Sequence, residues 1–218
     1  MFVVSGGIGE WEEEGGEMKL GYLCVSGSLG WDYYEADKSD VDLRGVYYLS
    51  NKDRYLNRIG EQRTFELSPL ECTLWSFDKF WGLLKKSNPS CIEWLLSPTV
   101  FSDELFLGFQ KRARAKCYNP FSLAKHYYSM AKSNYLKYDK SLSPKKVRYV
   151  VRAIESAKSV LGNGLPIMDV STCNCSEHQD FGGMIRELDV LLDTYPKDRR
   201  KDTLWFAEYE KILKEGKV

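Results

Sequence analysis

Gly27-Ser28, a spacer of eleven residues, and then Asp40-Val41-Asp42-Leu43-Arg44-Gly45-Val46-Tyr47-Tyr48-Leu49 is the stretch on which the fold turns. From Asp40 the side chains alternate, with Val41 and Leu43 on one face and Asp40, Asp42 and Arg44 on the other, the period of a strand half-buried on a core. This is the expected central strand. Just upstream, Leu20 to Val25 is a short apolar run that ends in a glycine-serine turn, as a strand entering a loop does. Residues 32–40 and 51–62 are polar and read as loops. Residues 65–76 alternate again, Leu70, Cys72 and Leu74 opposing Glu71, Thr73 and Trp75, and predict a further strand beside the first.

Further out the period changes to that of helices. Phe77, Phe80, Trp81 and Leu84 make an apolar stripe over 77–86 that Asn88-Pro89 stops, and 92–96 reads as a short helix. Beyond Pro98 the pattern is almost wholly helical, over 102–117, 122–138, 144–162 and 183–194. Pro144 suits a helix start, and Gly162 and Gly164 suit its end. The fold class that follows is α+β: a small mixed-sheet core over residues 18–100 and a helical C-terminal domain over 101–218, with no internal repeat.

Composition narrows the function classes. The 218 residues are 43% hydrophobic and 28% charged, ordinary for a soluble globular chain. Lysine plus arginine (31) equal aspartate plus glutamate (31), so no global positive field draws the protein onto nucleic acid or an anionic membrane. A polyanion site must therefore be local. No run is long and apolar enough for a membrane helix, and glutamates stand where a signal peptide carries lysines, which points to a cytoplasmic protein with reduced thiols. The Gly/Glu-rich residues 1–17 read as a peripheral leader ahead of Met18, the expected natural start.

The glycine-serine turn and the paired aspartates carry the chemistry. On one strand Asp40 and Asp42 lie about 6.5 to 7 Å apart on one face. At an effective dielectric near 20 they repel by roughly 2 kcal/mol, a cost that a divalent cation reverses. Oxygen-only ligands suit Mg2+ or Mn2+, which take their remaining ligands from water and substrate phosphates. Such ions activate an attacking hydroxyl and neutralise a departing pyrophosphate, so the protein needs no covalent nucleophile. Gly27 lets backbone amides approach a phosphate and the Ser28 hydroxyl can donate to it. Glu71 is the candidate third carboxylate, on the same face as the aspartates if its strand lies beside theirs.

Gly27, Ser28, Ser39, Asp40, Asp42, Arg44, Gly45 and Val46 match a signature Gly-Ser, loop, Ser-Asp-x-Asp-x-Arg-Gly-Val. In these residues the chain resembles the predicted nucleotidyltransferases of the DNA polymerase β superfamily that include the RNA-repair-associated polymerases. The likeness runs on through Glu71 to Trp81, Asn88-Pro89, Glu93 to Pro98, and residues 146–164. It implies a nucleotidyltransferase core in which Asp40, Asp42 and Glu71 hold the metal, and Gly27, Ser28, Ser39, Arg44, Lys146 and Arg152 contact nucleotide. It also implies transfer of a nucleoside monophosphate from a nucleoside triphosphate to a hydroxyl, an RNA or tRNA end being the expected acceptor. Transfer to a protein or small molecule, and a non-catalytic nucleotide- or RNA-binding module, are the alternatives. The chain departs from the pattern in Leu29-Gly30-Trp31-Asp32-Tyr33, where relatives carry a small residue and Tyr-Gly, and at Tyr149, where a histidine is expected.

Three features have plainer readings. Cys173, Cys175 and His178 group three soft ligands within six residues but lack Cys-x-x-Cys spacing and a fourth partner, so they read as incidental rather than as a zinc site. The basic segments 111–116, 145–148 and 197–201 read mainly as solvated helix faces, and His126 as a satisfied histidine rather than a base-stacking one.

Overall fold

Tyr22 and Cys24 alternate inward along the first long strand and Val46 does so on the next, and this pairing organises the sheet. The computed structural model describes residues 10–13, 16–31, 40–50, 62–67, 70–137, 144–169 and 180–196. Among these, strands β1 (Glu10–Glu13), β2 (Gly16–Ser26), β3 (Val41–Leu49), β4 (Gln62–Leu67), β5 (Leu70–Ser76) and β6 (Thr99–Ser102) form one mixed sheet. Its order is β1-β2-β3-β5-β4, with β6 also on β2. Every pairing is antiparallel except β3 with β5. The class is α+β, as expected.

Gly21 forms a bulge, because the register with β3 shifts between Leu20 and Tyr22. The extra residue turns Leu20 and Tyr22, two apart, to different clusters: Leu20 joins Met18, Tyr47 and Leu74, whereas Tyr22 joins the main core. A Cβ at Gly21 would stand 2.4 Å from the Tyr48 ring, so the bulge is open only to glycine without repacking.

The helices are α1 (Gly27–Gly30), α2 (Phe77–Lys85), α3 (Pro89–Leu96), α4 (Glu104–Lys116), α5 (Pro120–Lys137), α6 (Pro144–Asn163) and α7 (Phe181–Thr194). Local chemistry sets their ends. Ser76, Asn88, Asp103 and Asp180 cap α2, α3, α4 and α7 by accepting from Lys79 N, Ser90 N, Phe106 N and Gly183 N. Pro89 and Pro144 open helices, and Gly164 takes φ +82° after α6. Phe77, Phe80, Trp81 and Leu84 bury the inner face of α2 against Phe106 and Phe109 of α4, and Phe106 stacks on Tyr22 with ring centroids 4.4 Å apart. One apolar cluster runs from β2 and β3 through α2 to α7. None of the described helices is long and apolar enough to cross a membrane.

The structure differs from the sequence reading at four places. Residues 65–76, read as one run, belong to two antiparallel strands, β4 and β5, flanking Ser68-Pro69, a dipeptide that favours turn initiation. Residues 99–102, of which Ser102 was expected to open a helix, form β6, since an edge of β2 is open to them. Part of the expected leader pairs with β2 as edge strand β1, and Met18 is buried. Finally, Asp42 and Arg44 share their face of β3 with Val46, which lies in the main core, so the polar face is the one that the helices cover further along the strand. Ser39, residues 171–179 with Cys173, Cys175 and His178, and residues 197–201 lie outside the described residues.

Candidate active site

Asp42 sits where β2, β3 and the first turn after β2 converge. Ser26, the last residue of β2, pairs with Asp42 across the ladder, and the chain then turns sharply at Gly27 with φ +61°. A Cβ on Gly27 would stand 1.9 Å from Asp42 Oδ2, so the carboxylate lies directly against the glycine. Any side chain here displaces it. Ser28 follows in α1 and is buried.

On the other side of β3 the parallel ladder places Glu71 beside Asp42 and Thr73 beside Arg44. Carboxylates on neighbouring strands about 5 Å apart repel by roughly 3 kcal/mol at an effective dielectric of 20, before solvent screening. Arg44 relieves this: its Nη2 donates to Asp42 Oδ1 at 3.0 Å and stands 2.9 Å from Glu71 Oε1. One guanidinium thus bridges both acids. Asp40, immediately before β3, is exposed. Among the described residues no three His, Cys, Asp or Glu side chains gather closely enough to hold a metal ion. The Asp42–Glu71 pair is an oxygen-only donor set that fits a hard divalent cation completed by substrate phosphates and water.

A cleft of about 430 Å3 is lined by Ser26, Gly27, Asp42, Arg44 and Thr73 from the sheet side, with Ser28, Asp40 and Glu71 outside its lining, and by Ser90, Glu93, Trp94, Met130, Tyr149 and Arg152 from helices α3, α5 and α6. Trp31, Gln62 and Trp75 complete the lining. The volume is within the range of about 300–1,000 Å3 usual for small-molecule sites. Of the two basic residues assigned to the cleft from the sequence, Arg152 lines it and Lys146, a turn and a half earlier on α6, is exposed. His126 is also exposed and its Nε2 meets the carbonyl of Lys86.

Glu93 was not among the expected site residues. It lies 7% exposed within Cys91-Ile92-Glu93-Trp94-Leu95, and a single acid in a buried apolar helix is itself the signal that could have found it. Its Oε1 accepts from Arg152 Nη2 at 2.8 Å and from Tyr127 Oη at 2.7 Å, tying α3, α5 and α6 together under the cleft. Burial first, and then the Glu93 charge, hold the Tyr127 phenol well above its ordinary pKa, so it remains a donor. Burial likewise raises the thiol of Cys72, on the opposite face of β5 from Glu71 and Thr73.

The chain is 31% identical over 160 residues to the uncharacterized protein YcgL of Bacillus subtilis (strain 168), the match covering 70% of this chain and 60% of YcgL. Among solved structures it is similar, at 11% identity and a TM-score of 0.34, to a nucleotidyltransferase-like protein from Exiguobacterium sibiricum 255-15, over 80% of this chain and 69% of that one. A family model matches residues 9–212, nearly the whole chain, and it contains both the Gly27-Ser28 turn and the Asp42–Glu71 pair: the chain belongs to the RNA repair pathway DNA polymerase beta family.

Proposed function

We propose that the cleft binds a nucleoside triphosphate together with Mg2+ or Mn2+ and transfers its nucleoside monophosphate to a hydroxyl of an RNA or tRNA end, releasing pyrophosphate. The observation that carries this reading is the packing of Asp42 against Gly27 on one side and its pairing with Glu71 through Arg44 on the other. The glycine turn, Asp42 and Arg44 line one cavity, and Arg44 ties Glu71 to its edge.

In this reading Asp42 and Glu71 hold the cation, and Asp40 has to move towards them to serve as a further ligand. The bound cation neutralises phosphate charge and acidifies the attacking hydroxyl. Gly27 leaves room for a phosphate close to the backbone, where the leading N–H groups of a helical turn have no intrahelical acceptor, and Ser28 donates to the same group. Ser39, from the family signature, and Lys146, from the later helix, are further candidates for nucleotide contact. Arg44 from the sheet and Arg152 from α6 both line the cavity and provide positive charge there, which suits a reaction that depends on positioning and electrostatics more than on covalent chemistry.

The test is incubation of the protein with labelled triphosphates and Mg2+ or Mn2+, alongside the Asp42→Ala variant, with RNA, protein and small-molecule acceptors in separate arms. Label should pass to RNA with the intact protein and not with Asp42→Ala, whose melting temperature should stay close to that of the parent. Equal transfer by the variant removes Asp42 from the chemistry. Label in the protein or small-molecule arm instead of the RNA arm changes the acceptor.

A further inference from the structure

The cleft has a second wall, formed by Trp31 and by Tyr149 and Arg152 of α6. Trp31, the residue after α1, carries Arg152 on its ring face, the guanidinium carbon 3.7 Å from the ring centroid. Tyr149, one turn earlier on α6, meets the same indole edge-on with centroids 5.6 Å apart and an interplanar angle of 84°. Arg152 is 3% exposed and is fixed from behind by Glu93. All four residues line the cleft that Gly27, Asp42 and Arg44 also line.

A purely structural reading explains this arrangement poorly. Buried ion pairs contribute little net stability compared with apolar packing of the same shape. The indole Nε1 of Trp31 is buried with no hydrogen-bond partner, a cost that a tryptophan kept only for the fold would avoid. Trp31 itself is only half-buried. What the arrangement does achieve is a rigid aromatic surface, locked by a cation on one side and a tyrosine at its edge, four residues after the Gly27 turn.

We infer that Trp31, held by Arg152 and Tyr149, is the platform on which the nucleobase of the bound triphosphate stacks. The inference rests on the nucleotide reading above and divides the cleft in two: Gly27, Asp42 and Arg44 take the phosphates, and Trp31 takes the base. An indole stacks on the face of any nucleobase, so this half of the cleft contributes affinity with little choice among bases.

The test separates the two halves by using a ligand that has no base. Binding of ATP and of inorganic tripolyphosphate to the full chain is measured by calorimetry in Mg2+, for the parent protein, Trp31→Leu and Trp31→Phe. Leucine keeps apolar bulk beside Arg152 without a π-face, and phenylalanine keeps the π-face. The parent should bind ATP about 5- to 100-fold more tightly than tripolyphosphate. Trp31→Leu should lose that advantage with tripolyphosphate binding unchanged, and Trp31→Phe should keep most of it. The platform is overturned if Trp31→Leu retains the advantage, if it weakens both ligands alike, or if the parent binds both ligands equally. A parent that binds neither ligand refutes the nucleotide reading itself, a distinct result.

Discussion

Arg44 stands with its Nη2 2.9 Å from Glu71 Oε1, and that nitrogen also donates to Asp42 Oδ1 on Arg44's own strand. The guanidinium therefore occupies the space between the two carboxylates that a shared cation would require. A cation and Arg44 compete for the same oxygens, and triphosphate oxygens offer Arg44 an alternative partner.

Replacing Arg44 by alanine should thus have opposite effects on two ligands. In the absence of nucleotide, Mn2+ should bind Arg44→Ala more tightly than the parent, because two carboxylates relieved of the guanidinium attract a cation more strongly. Nucleoside triphosphate binding in Mg2+ should weaken, by about tenfold for the loss of one charge-assisted contact of roughly 1.5 kcal/mol or more. Calorimetric titration of each ligand checks the pair of signs; weaker Mn2+ binding in the variant would show that Arg44 organises the acids instead of occupying their cation site.

Gly27 should not tolerate a methyl group. Alanine at φ +61° costs about 1–2 kcal/mol in the left-handed region, and its Cβ would meet Asp42 Oδ2 as well. Gly27→Ala should lower the urea midpoint by that order and, because the carboxylate must move, lower nucleotidyl transfer far more than stability. A variant with parental transfer activity would mean that Asp42 can leave Gly27 at no functional cost.

The sequence made the strand and its acids legible because a period of two places Asp42 and Arg44 on one face whatever the tertiary context, and because Asn88-Pro89 and Pro144 punctuate helices by local sterics. It did not show which layer that face meets. Asp42, Arg44, Glu71 and Thr73 look like a solvated face from their polarity, yet Val46 and Trp75, farther along the same faces, pack among helices supplied by residues up to a hundred positions away. The parallel pairing that sets Glu71 beside Asp42 depends on β5 entering between β3 and β4, a topological fact with no local signal. Trp31 was missed as a site residue for the same reason, since its partner Arg152 is far beyond hairpin distance, whereas Glu93, 59 residues from Arg152, did carry a local signal as the single acid of an apolar helix.

The Glu93–Arg152 pair gives a stability prediction with a built-in control. Both side chains are almost wholly buried, so removing one leaves the other charged and unpaired, at a cost of about 3–5 kcal/mol. Arg152→Met should lower the urea unfolding free energy by that order, and Glu93→Gln in the same chain should restore part of it by removing the orphaned charge. Equilibrium unfolding of the two single variants and the double variant measures the coupling; strictly additive losses would show that the two charges do not depend on each other.

Alkaline pH should unfold the protein through its buried acids. Burial pushes the Cys24 thiol from its usual 9.0 up to about 12, and burial, with Cys117 nearby, pushes the Tyr118 phenol from 10.0 up to about 12. In each case the unfolded chain ionises first while the folded chain keeps its proton. The contribution is therefore complete below about pH 9, where both states are protonated, and it is lost as pH rises from 9 towards 12, each ionising group steepening the fall by at most about 1.4 kcal/mol per pH unit. Urea midpoints should stay flat from pH 7 to 8.5 and then decline, and the decline should be shallower in Cys24→Ala, which removes one of the buried thiols that ionise first in the unfolded chain. Thiol-modifying reagent at pH 8 should spare the buried Cys24, Cys91 and Cys117 until urea is added. Rapid labelling of Cys24 in the folded protein would mean that β2 opens locally beside the Gly27 turn, and the same opening would free Asp42 from the glycine that fixes it.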